Sequence, residues 1–447
     1  MRIKLSYPIY LSELIDIKQP FSQKVINYVC TDSRLLQPGD LFLALKGERH
    51  DGNDFAKYAL KIGATVVSEK TISTAGIDSM DKFLERFIYV YKSKITSLKK
   101  TVAITGSVGK TSTKTVLSSI LSKKFKVHAT KENQNNLLGT FYTVLSAPRG
   151  TEILVLELGM NHPGEISILS YATSPDIAVI TNIGSAHIGN LGGKEMIALA
   201  KSEIVKGMNG GPVIIPADED LLTGIKEKIS ISFTKDYNAD IYFTQESEHN
   251  GDCFYRFKFQ NISLKIKIKS HDKRLVAALA FSLTVCILIG LSPEDAEQYI
   301  CHTETWNFRQ HLIVENGYKI YDDTYSSSYE AVLCVVDTLI GSYGKISCAL
   351  ADILELGVFS DEIHINLGKE LSKRNIDKLY LFGPLAKKID IGIKESNKSD
   401  VSVYINEDLN RPDITAKQII NTYSGDVLLI KGSKKTHTEK IIELLIK

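Results

Sequence analysis

Between Thr101 and Thr111 the chain reads TVAITGSVGKT: an apolar run, a glycine-containing turn, then a Lys-Thr pair that opens a helix-like stretch through Leu117 and Ile120. These residue types in this order suit the phosphates of a nucleotide. Backbone N–H groups at a helix N-terminus meet an anion with partial positive charge, and Gly106 and Gly109 let the backbone wrap it closely. Lys110 can reach a transferred phosphoryl group, and the Thr111 hydroxyl can hold Mg²⁺. Gly106, Ser107, Gly109, Lys110, Thr111 and Ser112 form the candidate cradle. The match to the eight-residue phosphate-loop pattern is partial, because Ile104 stands where that pattern has its first glycine.

Three further groups carry chemical potential. Glu157 ends the apolar run ILVLEL, and His187 lies just past the end of IAVITNIG. In a parallel sheet both emerge on the edge that carries the phosphate loop, where they and Thr111 would form a mixed shell for Mg²⁺ or Mn²⁺. Each alone reads as structural; beside a phosphate loop they read as ligands. The segment NQNNLLGT (133–140) offers amides suited to substrate hydroxyls and carbonyls, or simply a helix cap. Lys201, among Glu195 and Glu203 on a helical pattern, reads from the sequence as part of a solvated face.

The elements that must position these groups are α/β. A length of 447 residues corresponds to about three domains of roughly 150 residues. Residues 1–96 read as a small N-terminal α/β domain closed by a polar linker at 91–100. Residues 97–305 read as a parallel, doubly wound ATP-binding domain interrupted by alternating β character at 240–270. Residues 306–447 read as a second, Rossmann-like α/β series. The near-balance of 54 basic and 52 acidic residues excludes a global electrostatic drive toward nucleic acid. The six cysteines show no metal-ligand spacing and read as reduced thiols of a cytoplasmic protein. The N-terminus reads as folded chain, lacking the apolar core of a secretory signal. The apolar run from Leu275 to Leu291 reads as a buried helix, with no stable membrane insertion. A monomer is the default expectation.

The motifs TDSRLLQPGDLFLALKGERHDGNDF, TGSVGKTSTK, NQNNLLGTFYTVL, LELGMNHPGEI, TNIGSAHIGNLGGKEMIALAKSEI, YDDTYSS, LADILELG and LLIKGS occur in an order that resembles the Mur ligase family of peptidoglycan synthesis, across nearly the whole chain. Of these, LGMNHPGEI and the GSAHI-to-KSEI block are the specific ones. The resemblance is strongest to members that add D-alanyl-D-alanine. It implies a three-domain ligase that uses ATP and Mg²⁺ to activate the carboxylate of a UDP-N-acetylmuramoyl tripeptide and joins it to an amine, releasing ADP and phosphate.

Carried over position by position, the resemblance implies that Lys110 stabilises the γ-phosphate and that Thr111 and Glu157 ligate magnesium. His187 would serve a second magnesium, and Lys201 would be carbamylated to become an anionic ligand, which displaces the solvated-face reading. Asp32, Ser33, Arg34 and the 46–55 loop would hold the UDP-sugar, and Asn135, Asn136 and Thr143 would line the peptide site. Arg309 and Asp323 would meet ATP through its phosphates and ribose. The chain departs from the family pattern at Tyr325–Tyr329, where serines replace two amides and a tyrosine replaces proline. It departs also at Leu275 in place of asparagine near adenine, at Phe308 in place of glycine and at Phe141 in place of proline. Two alternatives compete: a paralogue using the same chemistry on a different amine or carboxylate, and a nucleotide-binding protein without turnover. A plain ATP hydrolase would leave the N-terminal segment without a role.

Overall fold

The computed structural model describes residues 1–16, 23–47, 50–70, 74–249, 252–268, 273–301, 311–396 and 400–447. Among these residues three sheets organise a multi-domain α/β molecule. The N-terminal sheet has five strands, in the order Arg2–Tyr10, Val25–Cys30, Leu41–Leu43, Thr65–Ser68 and Ala75–Gly76. Its first pair is antiparallel and the rest are parallel. The stretch expected as a linker at 91–100 begins inside helix Met80–Ser93. The cause is Tyr91, which is fully buried and packs edge-on against Tyr7 and Phe87, so burial extends the helix into a segment that reads as polar.

The central sheet has nine strands. Lys100–Thr105 lies in the middle, with Ile153–Glu157 on one side and Ile177–Ile180 on the other, all parallel. Their near-continuous apolar sequences follow from being covered on both faces. The alternating stretch forms strands Ile241–His249, Asp252–Phe259 and Ile262–Ile268, an antiparallel extension that makes the sheet mixed rather than wholly parallel. Helix Lys273–Ile289 packs against helix Lys110–Leu121 in the adjoining core. No described helix is long and apolar enough to cross a membrane.

The C-terminal sheet has six strands, in the order His311–Glu315, Tyr318–Asp323, Leu428–Lys431, Ile346–Ala351, Ile376–Phe382 and Ser402–Asn406. Only the first pair is antiparallel. The carboxyl ends of its parallel strands face the phosphate-loop edge of the central sheet, so residues from both border one cavity.

Candidate active site

Strand register builds the floor. Ile104 pairs with Glu157 and Thr105 with Ile180, so the turn after Thr105 emerges between the ends of two parallel neighbours. Gly109, at φ 89°, precedes helix Lys110–Leu121. Gly106 has φ 145°, and a Cβ there would lie 1.9 Å from Thr181 Oγ1, so both conformation and space demand glycine. Asn182 pins the turn: its Oδ1 accepts from the N–H groups of Ser107 at 3.1 Å and Val108 at 2.8 Å. The Lys110 ammonium folds back onto the carbonyls of Gly106 at 2.6 Å and Ser107 at 3.3 Å.

Glu157 is 2% exposed and fully engaged. Its Oε2 accepts from Thr111 Oγ1 at 2.9 Å, its Oε1 accepts from Asn135 Nδ2 at 2.9 Å, and Lys114 Nζ lies 3.6 Å away. Asn135 reaches the carboxylate because Gly159 leaves room; a Cβ on Gly159 would stand 2.7 Å from the Asn135 amide. Asn136, its neighbour, caps helix Leu137–Leu145 by accepting from Gly139 N. Cap and contact are thus divided between two adjacent amides.

Lys201 stands in the last turn of helix Lys194–Ser202 with its side chain inward and 2% exposed. The solvated-face reading from the sequence is therefore overturned: Ile197, Ala198 and Ala200 take that stretch of the helix inside with it. Burial holds the amine well below the usual lysine range, and the charge of Lys110 lowers it further. His187 adopts φ 64° and brings Nδ1 to 2.7 Å from Glu355 Oε2, out of line with the ring N–H, so the contact is an ion-pair distance without an aligned hydrogen bond. Burial lowers the imidazole pKa against the opposing pull of Glu355, with Lys110 and Lys201 lowering it again. Burial alone would raise the Glu355 carboxyl, but His187 and Lys435 hold it below the ordinary glutamate range.

These groups line a cavity of about 650 Å³ closed on its far side by Asp323, Tyr325, Ser326, Glu355 and Lys431. Lys431 is 2% exposed and donates to Asp323 Oδ2 at 2.9 Å and to the Ser326 carbonyl at 2.7 Å. Arg274 approaches the same Asp323 oxygen at 3.8 Å. Among the described residues no cluster of three or more His, Cys, Asp or Glu could hold a metal by itself. The Thr111–Glu157 oxygen pair nonetheless fits Mg²⁺, which takes few protein ligands and completes its shell with phosphate oxygens and water. Lys201 as a free amine does not fit a cation; only an anionic form would.

The cavity brings together Ser107, Gly109, Lys110, Thr111, Ser112, Asn135, Asn136, Glu157, His187, Lys201 and Asp323. Thr143 does not reach it: it is 3% exposed and donates its hydroxyl to the Gly139 carbonyl one helical turn back. Asp32, Ser33 and Arg34 form an exposed turn elsewhere, in which Arg34 Nη2 meets Asp32 at 2.7 Å and holds that carboxyl well below its usual range. Next to it, Thr31 Oγ1 lies 2.8 Å from Tyr142 OH on helix Leu137–Leu145, linking this turn to the central unit. Arg309, Phe308 and part of the 46–55 loop lie outside the described residues. Sequence reasoning missed Lys114, Asn182, Arg274 and Glu330, whereas Lys431 falls at the carboxyl end of a C-terminal strand, where ligands of such sheets are expected to bind. Lys114 and Asn182 stand inside the quoted motifs TGSVGKTSTK and TNIG, where a polar residue next to a strand or phosphate loop was the available signal.

The departures from the family pattern have local explanations. Phe141 is fully buried and packs edge-on against Phe87 at 5.3 Å, tying helix Leu137–Leu145 to the N-terminal unit. Leu275 joins the apolar core while its neighbour Arg274 turns into the cavity. Ser328 caps helix Tyr329–Tyr343 by accepting from Ala331 N, a task that serine performs as well as asparagine.

Known proteins resemble the chain throughout. The family pattern described as Mur ligase middle domain matches residues 104–281, and that described as Mur ligase family, catalytic domain, matches 25–103. The chain is 33% identical over 440 residues to UDP-N-acetylmuramoyl-tripeptide--D-alanyl-D-alanine ligase of Bacillus subtilis, covering 95% of this chain and 94% of that one. The same-named Escherichia coli protein is 28% identical over 460 residues, covering 97% and 98%. Among solved structures, MurF from Acinetobacter baumannii superposes with a TM-score of 0.86 at 26% identity over 99% of this chain and 100% of that one. The MurF ligase of Thermotoga maritima, in complex with ADP, gives 0.79 at 27% identity over 93% and 96%.

Proposed function

The chain belongs to the Mur ligase family of ligase-type enzymes, and from that premise we propose that it joins D-alanyl-D-alanine to the terminal carboxylate of a UDP-N-acetylmuramoyl tripeptide at the expense of ATP, in the cytoplasm, as a monomer. The observation that carries this reading is the Thr111–Glu157 contact of 2.9 Å at the mouth of the phosphate loop, in one cavity with Lys110 and the buried Lys201. Relatives named for that reaction align along nearly the whole chain, which supports the choice of substrates.

A carboxylate at neutral pH resists attack by an amine until a good leaving group is attached. In the proposed reaction a carboxylate oxygen of the peptide attacks the γ-phosphorus of ATP, the bond to the β–γ bridging oxygen breaks, and ADP departs with that electron pair. The amine nitrogen then adds to the acyl carbon, loses a proton, and expels inorganic phosphate. Lys110 leaves its carbonyl contacts to meet the charge developing on the γ-phosphoryl oxygens. Mg²⁺ held by Thr111 and Glu157 would neutralise phosphate charge. Asn135 and Lys114 keep the Glu157 carboxylate oriented toward Thr111. His187 and a carbamylated Lys201 would hold a second Mg²⁺. The depressed pKa of Lys201 favours the neutral amine, which is the form that combines with CO₂. Asp323 and Arg309 would complete the ATP site from the C-terminal unit, and the Asp32–Arg34 turn would hold the UDP-sugar. Domain boundaries near 96 and 305 fit this division of labour. Closure around the cavity keeps water from the acyl phosphate.

A paralogue with another amine is the second reading, favoured by Ser326 and Ser328, which replace amides on the cavity wall. One experiment separates the two. Purified protein is given ATP, Mg²⁺, UDP-N-acetylmuramoyl tripeptide and a panel of amines, with ADP release and amide mass followed together. Amide formed with D-alanyl-D-alanine upholds the proposal; amide formed only with another amine moves the assignment to the paralogue.

A further inference from the structure

We propose that Glu330 is a positioning residue: its carboxylate latches the C-terminal unit onto the loop that carries His187, and through that loop sets the phosphate cradle. This inference rests on the ligase reading for its kinetic consequence, though not for its structural one. Glu330 stands in the first turn of helix Tyr329–Tyr343, far in sequence from its partners. Its Oε1 accepts from Ser185 N at 2.9 Å and its Oε2 accepts from Ser185 Oγ at 2.9 Å, with Lys194 Nζ 3.9 Å away. The side chain is 24% exposed, so the contact is partly shielded from water.

The adjacent residue shows how closely the two units are fitted here. A Cβ on Gly184 would lie 2.8 Å from Glu330 Cδ, so a side chain at this position would push the carboxylate out of its present place. Gly184 in turn is bound to the cradle: its N–H donates to Ser107 Oγ at 2.8 Å, and Ser107 Oγ lies 3.3 Å from its carbonyl. A continuous path of hydrogen bonds therefore runs from Glu330 through Ser185 and Gly184 to Ser107. Two residues on, the same loop carries His187, and Gly189 N donates to the Glu355 carbonyl at 3.0 Å. The Gly189 backbone packs so tightly on Leu356 and Gly357 that a Cβ would lie 2.4 Å from Gly357 N. Glu355 contacts the far end of the loop through its carbonyl and its carboxylate; at the near end Glu219, from the central unit, accepts from Ile183 N at 3.2 Å, and Glu330 supplies the carboxylate that comes from the C-terminal unit.

The test compares the full-length parent with E330A, E330Q and G184A. Amide formation gives kcat and KM, and small-angle scattering with Mg²⁺ and ADP gives the radius of gyration. E330A should lower kcat by about 10- to 100-fold, the loss expected when these two partly exposed bonds are together worth about one hydrogen bond to a charged group, with KM for the UDP-sugar peptide unchanged within about twofold. It should also give a larger radius of gyration with the nucleotide than the parent does. E330Q should recover most of the rate, because its amide can accept from Ser185 N and donate to a reversed Ser185 hydroxyl. G184A, which keeps the carboxylate but evicts it, should behave like E330A. Parent-like kcat and scattering in both E330A and G184A would overturn the latch. If the parent forms no amide yet E330A still enlarges the nucleotide-bound particle, the latch stands and the substrate assignment falls.

Discussion

Replacing Glu157 by glutamine removes a charge and almost no volume, so it separates the carboxylate's structural task from its chemical one. The structural task can be sized. Lys114 Nζ lies 3.6 Å from Glu157 Oε2, and both side chains are buried. At an effective dielectric of about 20 that separation corresponds to roughly 4–5 kcal/mol of attraction, and stranding one partner of a buried pair costs about 3–5 kcal/mol. For a unit of about 200 residues this lowers the unfolding midpoint by roughly 6–20 °C. Calorimetry of the full chain should show that shift in E157Q. The double variant E157Q/K114M, which also removes the Lys114 cation that donates to the Glu132 carbonyl at 3.1 Å, should recover part of it. Ligation should not recover. Loss of the carboxylate beside Thr111 should lower kcat/KM by about 100- to 1000-fold in both variants. A midpoint loss below about 3 °C in E157Q would refute the stability argument, and ligation within tenfold of the parent would refute the assignment of Glu157 to the metal.

Three further outcomes follow from the same geometry. K110A should abolish ligation, by about 1000-fold or more, with an unchanged far-ultraviolet circular dichroism spectrum; substantial remaining turnover would remove Lys110 from the phosphate role. Lys201 has a folded-state pKa below its unfolded value, so the unfolded chain binds the extra proton and stability from this group rises with pH toward about 10.5. In bicarbonate-free buffer K201M should therefore raise the melting midpoint near neutral pH and flatten that rise, while lowering ligation about 100-fold or more; intact-mass measurement of the parent in bicarbonate should reveal an increment of one CO₂ that K201M lacks. G106A would place a Cβ 1.9 Å from Thr181 Oγ1 at φ 145°, costing at least about 1–3 kcal/mol and abolishing ADP binding by titration calorimetry; wild-type affinity would show that the turn can be rebuilt without glycine.

What could be read in the sequence was what short segments dictate. The phosphate cradle was legible because strand, glycine and Lys-Thr are contiguous, and the Thr111–Glu157 contact followed from parallel strands ending on one edge. Lys201 was legible only by resemblance, since a charged residue between apolar neighbours looks the same whether the helix turns it out or in; tertiary packing decides. The division between Asn135, on Glu157, and Asn136, on the helix cap, depends on one residue of register and on the space left by Gly159. The Glu330–Ser185 contact joins residues 145 positions apart, and no local pattern announces it. Thr143 lies outside the cavity, its inward-facing hydroxyl donating to the Gly139 carbonyl, an orientation that the sequence does not show.

The departures from the family pattern at Tyr325–Tyr329 lie on the cavity wall contributed by the C-terminal unit, and this bears on substrate choice. Residues that would handle phosphate and metal are held by interlocking contacts: Lys114 and Asn135 on Glu157, Asn182 on the Ser107 turn. A change in any of them disturbs several neighbours. Ser326 and Ser328 are less constrained: one contributes a backbone carbonyl to Lys431, which survives any exchange of its side chain, and the other a side-chain cap, which survives exchange between serine and asparagine. Ser327 is different. Its hydroxyl is buried on the cavity wall without a hydrogen-bond partner in the described structure, and an unmatched buried hydroxyl carries a cost of about 1–3 kcal/mol. A substrate amide or carboxylate that reached it would regain that cost on binding. On the proposed reading, selectivity for the amine is assigned to this wall, where substitution leaves the contacts around Glu157 intact.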